Sequence, residues 1–552
     1  MKINGNIKAI QAMSVPIAMA LCRIAKIRTI VNETVKWKEE NSKISPGLLI
    51  ESLVVCILCH RKPLWKVEEF WRMQDMHNLY PEIDPSQLND DAYGHALDKL
   101  AEVDMNLIFS LVALTMLQAH NLGISFVHLD TTSKSVQGVY QTESKEDFDV
   151  NFGFSKDHRP DLKQFKIGLG VNEQGLPVMG EILSGNASDM KFNPQAAIQM
   201  KEFFEKKQFR DIIFVSDCVI VSIDSLVKLA QKHVHFISRL PETFNLADEL
   251  KEIALKSPDW TKISNESETK YQIFAIDEKL DGRNYRFLVV QSSQLQEQKE
   301  KTLQKQVDKK KAKCEQEAKK FGKQTFACEA DALAMFNELS VKVSAAGFPL
   351  SGKVQREEIK SYGQKGRPKA GEEAKVTVVY KIESVVGEMP KETFDALLRK
   401  ESTFILITNV MNKEKYDDAR ILEEYKHQIC VENRFKFLKN PVYFGPMYLK
   451  NKQRLQALGY VFILVLLLVS YLEYRVRENL EKNGESVLLP GNKKTTVPTV
   501  ATILEILNTI QIVIIAGERF FPDNVNKQAL KMIEWAGFKP TVYLQPLPFE
   551  CA

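Results

Sequence analysis

Three acidic residues stand where their surroundings do not ask for an acid. Asp130 closes the run SFVHLD and Asp217 closes IIFVSD, two stretches whose apolar and β-branched alternation reads as strand, although Asp is among the residues that strands use least. Either each strand stops there in a turn, or a carboxylate is held at the tip of a rigid element for chemistry. Two aspartates a few ångströms apart repel one another unless a cation sits between them. Hard divalent ions with oxygen ligands are the common solution. The third acid, Glu432, lies in EEYKHQICVENRFKFLKNP. At about 100° per residue, Tyr425, Gln428, Glu432 and Lys439 fall within roughly 60° of one another on a single helix, while Cys430, Val431, Phe437 and Leu438 point away. A hydroxyl, an amide, a carboxylate and an ammonium in one row suit a phosphate and a metal ion. Periodicity alone favours the plainer reading, an amphipathic helix with its polar side in water.

Other polar residues gather near these acids in sequence. Thr131 and Thr132 either orient Asp130 or form a turn, and Lys156, Asp157, His158 and Arg159 are candidates for contacts to DNA or to the active site. Asn186 and Asp189 read as a turn with a possible supporting role. Gly366-Arg367-Pro368, between Lys365 and Lys369, resembles the core of a minor-groove hook, and a plain turn explains it equally well. The string Cys56-Ile-Leu-Cys59-His60 matches covalent haem attachment or half a zinc site. Its setting, LLIESLVVCILCHRKPLW, reads instead as a buried helix in which cysteine packs as a small hydrophobe. A second C-x-x-C that would complete a zinc site is missing.

The elements that must position the acids follow from the period of the pattern. Residues 1–120 read as helices throughout and form a candidate DNA-binding region. From 121 the period falls to two: SFVHLD, FKIGLGVN and LPVMGEIL are strands, the last two a hairpin. A helix, the strand IIFVSD, a second helix and the strand VHFISRL follow. This order implies a mixed sheet with helices packed on it over 121–245. Residues 246–400 read as an insertion, with a strand pair joined at DGRN, a lysine-rich helical stretch at 299–323, and returning strands at VKVSAAGFP and KVTVVYKIE. The lysine run fits a solvated helix face or a DNA-facing surface. TFILITN resumes the sheet, so 401–480 forms its second part, and 481–552 reads as a helical end with VPTVATILEILNTIQIVII as a packing surface.

At 552 residues, with 44% hydrophobic and 26% charged residues, the chain has the composition of an ordinary globular protein of several domains. The formal net charge of +4 requires any DNA surface to be local. Eight scattered cysteines and an N-terminus without a signal-peptide pattern point to a reducing cytoplasm. The run ALGYVFILVLLLVSYL sits at the lower edge of membrane-spanning length, and a buried core helix is the expected reading, with no membrane.

From Tyr425 to Lys439 the chain resembles the Y-(2)-R-(3)-E-(6)-K signature of bacterial insertion-sequence transposases of the DDE type, especially the insertion-sequence family four group. Tyr425, Glu432 and Lys439 fall in register, and Gln428 stands where that pattern has Arg, which puts phosphate affinity in doubt more than metal binding. GFSKDHRPDLKQ, GLPVMGEILSGNASD, FVSDCVIVS and LNDDAYGHALDKL also resemble one branch of the group. The resemblance implies an α/β fold with a ribonuclease-H-like mixed sheet and flanking helices, interrupted by a β-rich insertion. It implies Asp130, Asp217 and Glu432 as catalytic residues and metal ligands for Mg²⁺, with Mn²⁺ as a substitute. It also implies cleavage at terminal inverted repeats and strand transfer into target DNA by a cut-and-paste route, carried out by a homodimer that is nucleoid-associated when bound to double-stranded DNA. Tyr425, Gln428, Lys439, Lys156, His158, Arg159 and Arg367 are then the expected DNA contacts. Two alternatives stay open: a catalytically silent, transposase-derived DNA-binding protein, and a metal-dependent nuclease without strand transfer.

Overall fold

In the computed structural model, the run SFVHLD does not stop at its acid. The central strand spans Phe126–Ser135, and its partner Gln164–Asn172 runs antiparallel to it from Val127↔Asn172 to Ser135↔Gln164. On its other edge the parallel strand Ile213–Ser216 ends sooner, at Leu129↔Ser216. Asp130 therefore lies mid-strand, at the point where its parallel neighbour gives out, and Thr131 and Thr132 are buried strand residues rather than a turn. The penalty for Asp in a strand is offset by a partner that pairs along the whole length.

The structure describes residues 7–38, 44–138, 140, 148–263, 269–361, 374–445, 447 and 449–546. They fall into two compact units, one of residues 1–239 and 408–552, the other of residues 240–407. In the first unit the strands lie in the order Pro177–Ser184, Gln164–Asn172, Phe126–Ser135, Ile213–Ser216, His235–Arg239. The first two contacts are antiparallel and the last two parallel. Every residue of Gln164–Asn172 is buried, because helices cover both faces. On one face a Cβ on Gly168 would come within 2.2 Å of the Phe192 ring of helix Asp189–Lys206. On the other, a Cβ on Gly180 would come within 2.6 Å of Ile463. These glycines let the helices seat directly on the sheet.

Ile463 belongs to helix Lys452–Asn483, which the Asn451 side chain caps at its start and Gly484, at φ +64°, ends. This helix is long and apolar enough to cross a bilayer, yet 94% of its apolar stretch is buried inside the protein. It packs on strand Pro177–Ser184 and on helices Pro46–His60 and Asp90–Ala101, and Arg454 holds Asp98 through two bonds of 2.7 Å. Cys56 and Cys59 are buried within Pro46–His60, and burial pushes the Cys59 thiol up to about 12, so neither offers a thiolate.

Both ends of the chain differ from the all-helical expectation. Strand Ile7–Ile10 pairs antiparallel with Ile512–Ile515, whose other edge carries Glu518–Phe520. The closing region thus mixes helices Val500–Leu507 and Lys527–Trp535 with short strands. The β-branched residues Ile510 to Ile515 follow only two turns of helix and favour an extended partner.

Among the described residues, the second unit holds more helix than strand. Strands Tyr271–Leu280 and Arg283–Ser292 form a hairpin whose turn residues Asp281 and Gly282 have φ of 50° and 75°, the pattern of a type I′ turn. Helices Ser293–Gly322 and Glu329–Ala345 follow, then the hairpin Leu350–Ser361 with Lys375–Val386. The VKVSAAGFP strand expected at 341 is instead the last turn of Glu329–Ala345, with Val343 buried in a cluster with Leu303, Val307 and Phe348. Its two alternations are too few to overrule a helix already capped at Cys328. Arg367 and its neighbours 365–369 lie outside the described residues.

Candidate active site

Register brings the first two acids together. Leu129 is opposite Ser216 on parallel strands, so Asp130 and Asp217 each follow the last paired residue of neighbouring strands, which lie about 4.8 Å apart. The backbone N–H of Thr131 donates to Asp130 Oδ1 at 2.7 Å, and that of Cys218 donates to Asp217 Oδ1 at 2.7 Å. Ser238 Oγ donates to the Asp217 carbonyl at 3.0 Å, tying this strand end to the next strand.

A chain of cations and carboxylates surrounds Asp130. Lys156 Nζ is 3.4 Å from Asp130 Oδ1 and 4.0 Å from Asp189 Oδ2, and it also donates to the Thr131 carbonyl. Lys166, itself buried, donates to Asp189 Oδ1 at 2.8 Å. Burial raises the Asp130 carboxyl, and the Lys156 charge works against that rise. Burial also acts to raise Asp189, but there the Lys166 bond and the Lys166 and Lys156 charges outweigh it and hold the group below the ordinary carboxylate range. Asp189 is thus more than a turn residue. Asn186 is exposed in the turn just before it.

The helix of the polar row is broken. Asp418–Lys426 ends, His427 and Gln428 form a tight turn, and Ile429–Lys439 begins. Cys430 N donates to the His427 carbonyl and Val431 N to that of Gln428, so the chain winds more tightly there. A single 100° wheel therefore does not span the row, and its members reach different partners. The half-buried Tyr425 donates its hydroxyl to Asp217, and burial, followed by the Asp217 charge, raises its pKa. Gln428 Nε2 reaches the Leu129 carbonyl at 3.4 Å, beside Asp130. Glu432 is exposed one turn further on. Lys439 Nζ is paired with Asp157 Oδ1 at 2.7 Å. Phe437 is half-buried and stacks on Tyr443 at 4.4 Å instead of entering the core.

Among the described residues, Asp130, Asp217 and Glu432 do not bring three ligand atoms within 4.8 Å of one another. A pair of ions sharing three carboxylates does not require that closeness, since two-ion sites hold their ions about 3.5–4 Å apart. The donor set is oxygen throughout, which fits a hard cation such as Mg²⁺. Of the remaining expected contacts, His158 is exposed with φ 56°, and Arg159 is engaged with Asp161 at 2.9 and 2.8 Å.

Sequence reasoning passed over Arg434, which anchors the Glu432 helix. Its Nε donates to the Gly175 carbonyl at 2.8 Å and its Nη1 to Glu473 Oε2 at 2.7 Å on the long core helix. It also passed over Lys166 and the group His128, Glu424 and His427; Glu424 and His427 stand three positions apart, but His128 lies some 300 positions away and no local pattern joins it to them.

Residues 7–114 match the family model of a domain of unknown function, DUF4277. No curated protein matches the chain. Among solved structures, the chain is similar to a piggyBac transposase in a synaptic complex with hairpin DNA, at 10% identity and a TM-score of 0.36, over 95% of this chain and 82% of that one. It is also similar to the Mos1 transposase in a paired-end complex with the left transposon end, at 13% identity and a TM-score of 0.15, over 32% of this chain and 60% of that one.

Proposed function

We propose that this chain is a metal-dependent DNA transposase of the DDE type, related to the insertion-sequence family four group, with a ribonuclease-H-like sheet and a catalytic set of Asp130, Asp217 and Glu432. The observation that carries the reading is the register of the parallel pair, which sets Asp130 and Asp217 side by side where Leu129 and Ser216 end their pairing. Tyr425 on Asp217 and Gln428 on the Leu129 carbonyl draw the Glu432 helix onto the same strand ends.

Asp130, Asp217 and Glu432 would hold Mg²⁺, or Mn²⁺ in its place. When bound, the metal supplies a deprotonated water or 3′-hydroxyl and stabilises charge on the phosphodiester under attack. The protein's own groups do the positioning. Tyr425 bonds the Asp217 carboxylate, and Lys156 offsets the mutual repulsion of Asp130 and Asp189. Lys439 and Lys156 carry charges that can transfer from Asp157 and Asp130 to a DNA phosphate. Gln428 spends its amide on a backbone carbonyl, so it steadies the strand end and leaves phosphate binding to its neighbours. Two copies would pair the two transposon ends.

The test uses DNA bearing the inverted repeats that flank the reading frame, incubated with Mg²⁺ and with wild-type protein or Glu432→Ala. Cleavage at the repeat ends by the wild type alone, followed by joining to target DNA, is the expected result. Cleavage without joining would reduce the activity to that of a nuclease. Binding without cleavage by either protein would leave a silent DNA-binding relative. Equal cleavage by both proteins would remove Glu432 from the mechanism.

A further inference from the structure

Two residues before Asp130, on the same side of the central strand, the His128 imidazole is sealed from solvent with neither ring nitrogen hydrogen-bonded. Glu424 and His427, on either side of Tyr425 in the broken helix, face it. His128 Nε2 is 3.7 Å from Glu424 Oε2, the two imidazole rings meet edge to face at 5.4 Å, and one ligand atom from each of the three residues lies within 4.8 Å of the others. Glu424 is 2% exposed; its Oε1 is held by Arg420, while its Oε2 is buried without a partner and turned toward His128.

Three buried polar atoms without partners, both His128 nitrogens and Glu424 Oε2, are destabilising unless something satisfies them. A direct Glu424 to His128 hydrogen bond does not serve, because 3.7 Å exceeds hydrogen-bonding distance. A four-coordinate ion with bonds of about 2.0–2.2 Å holds its ligands about 3.3–3.5 Å apart, so small side-chain movements would close this group around one.

We propose that His128, Glu424 and His427 form a second metal site, distinct in chemistry from the carboxylate site, which takes a zinc-class divalent ion and pins the helix break to the central strand. Two imidazole nitrogens and one carboxylate oxygen select a borderline transition ion over Mg²⁺. The consequence for the fold is direct. His427 adjoins Gln428, which bonds the Leu129 carbonyl, and Glu424 adjoins Tyr425, which bonds Asp217. An ion here would lock the segment that sets Tyr425, Gln428 and Glu432 against the strand ends.

The test needs no DNA, so its failure is separable from failure of the transposase reading. Full-length protein stripped with a chelator is titrated with Co²⁺ and followed by visible absorption, and Zn²⁺ or Mg²⁺ is then added. The expected result is one equivalent of Co²⁺ with d–d bands, displaced by Zn²⁺ and unaffected by excess Mg²⁺, together with a melting temperature raised by Zn²⁺. His427→Ala, at a half-exposed position, and the isosteric Glu424→Gln should each abolish the bands, and the second variant gives the same reading if the first fails to fold. Absence of bands in the wild type, bands that persist in both variants, or sulfur-to-cobalt charge transfer marking cysteine ligation would each overturn the proposal.

Discussion

Two long antiparallel strands of this protein live in opposite surroundings. Gln164–Asn172 is buried at every residue, whereas Leu350–Ser361 has no buried residue, and its partner leaves Val376 48% and Val385 68% exposed. The first can be read from its composition: FKIGLGV is apolar apart from Lys166, whose charge is met by Asp189, with glycines where helices press in. The second, GKVQREEIKS, is charged on both faces and is held by its ladder and by the helices of its own unit. Asp130 lies on the strand paired with the buried one. The exposed hairpin, with Lys353, Arg356 and Lys360, presents charge that solvent or a polyanion can reach. Rigidity and accessibility are thus divided between two regions of one chain.

That contrast can be broken most severely at Arg434. Replacing it with Ala leaves Glu473 buried with Arg477 and the Val500 N–H as its remaining partners, at a cost of about 3 kcal/mol. Urea denaturation measures the loss, and end cleavage should fall with it because the Glu432 helix is released. Gly168→Val drives a side chain into Phe192 and should cost about 1–3 kcal/mol, read as a lower melting temperature. A subtler change is Tyr425→Phe, which keeps the packing and removes the hydroxyl that meets Asp217. Cleavage should slow by about tenfold or more, with the melting temperature scarcely moved. At the other extreme, Val385→Thr in the exposed hairpin should change stability by less than about 0.5 kcal/mol. A large loss there would mean that the hairpin is covered by a partner.

The order of elements around the site was legible because the period changes sharply at residue 121, and because β-branched runs end in Asp at both 130 and 217. What sequence could not show was long-range pairing. Asp130 looked terminal because only the Gln164–Asn172 partner, more than thirty residues away, carries the strand on to Ser135. The helix break at His427 and Gln428 contains no Gly or Pro to announce it, so one continuous wheel seemed adequate. Ile7–Ile10 became a strand through a partner about 500 residues later, and no local pattern encodes that. His128 read as an ordinary strand residue, since its two companions arrive from the far end of the chain.

The claim that Asp130, Asp217 and Glu432 act as one metal-binding set is tested most directly by an electron paramagnetic resonance titration of Mn²⁺ with the full-length protein on transposon-end DNA. Wild type should take up about two ions, with binding reduced in Asp217→Asn and in Glu432→Gln while both variants retain the wild-type melting temperature. Equal Mn²⁺ uptake by wild type and both variants would contradict the account.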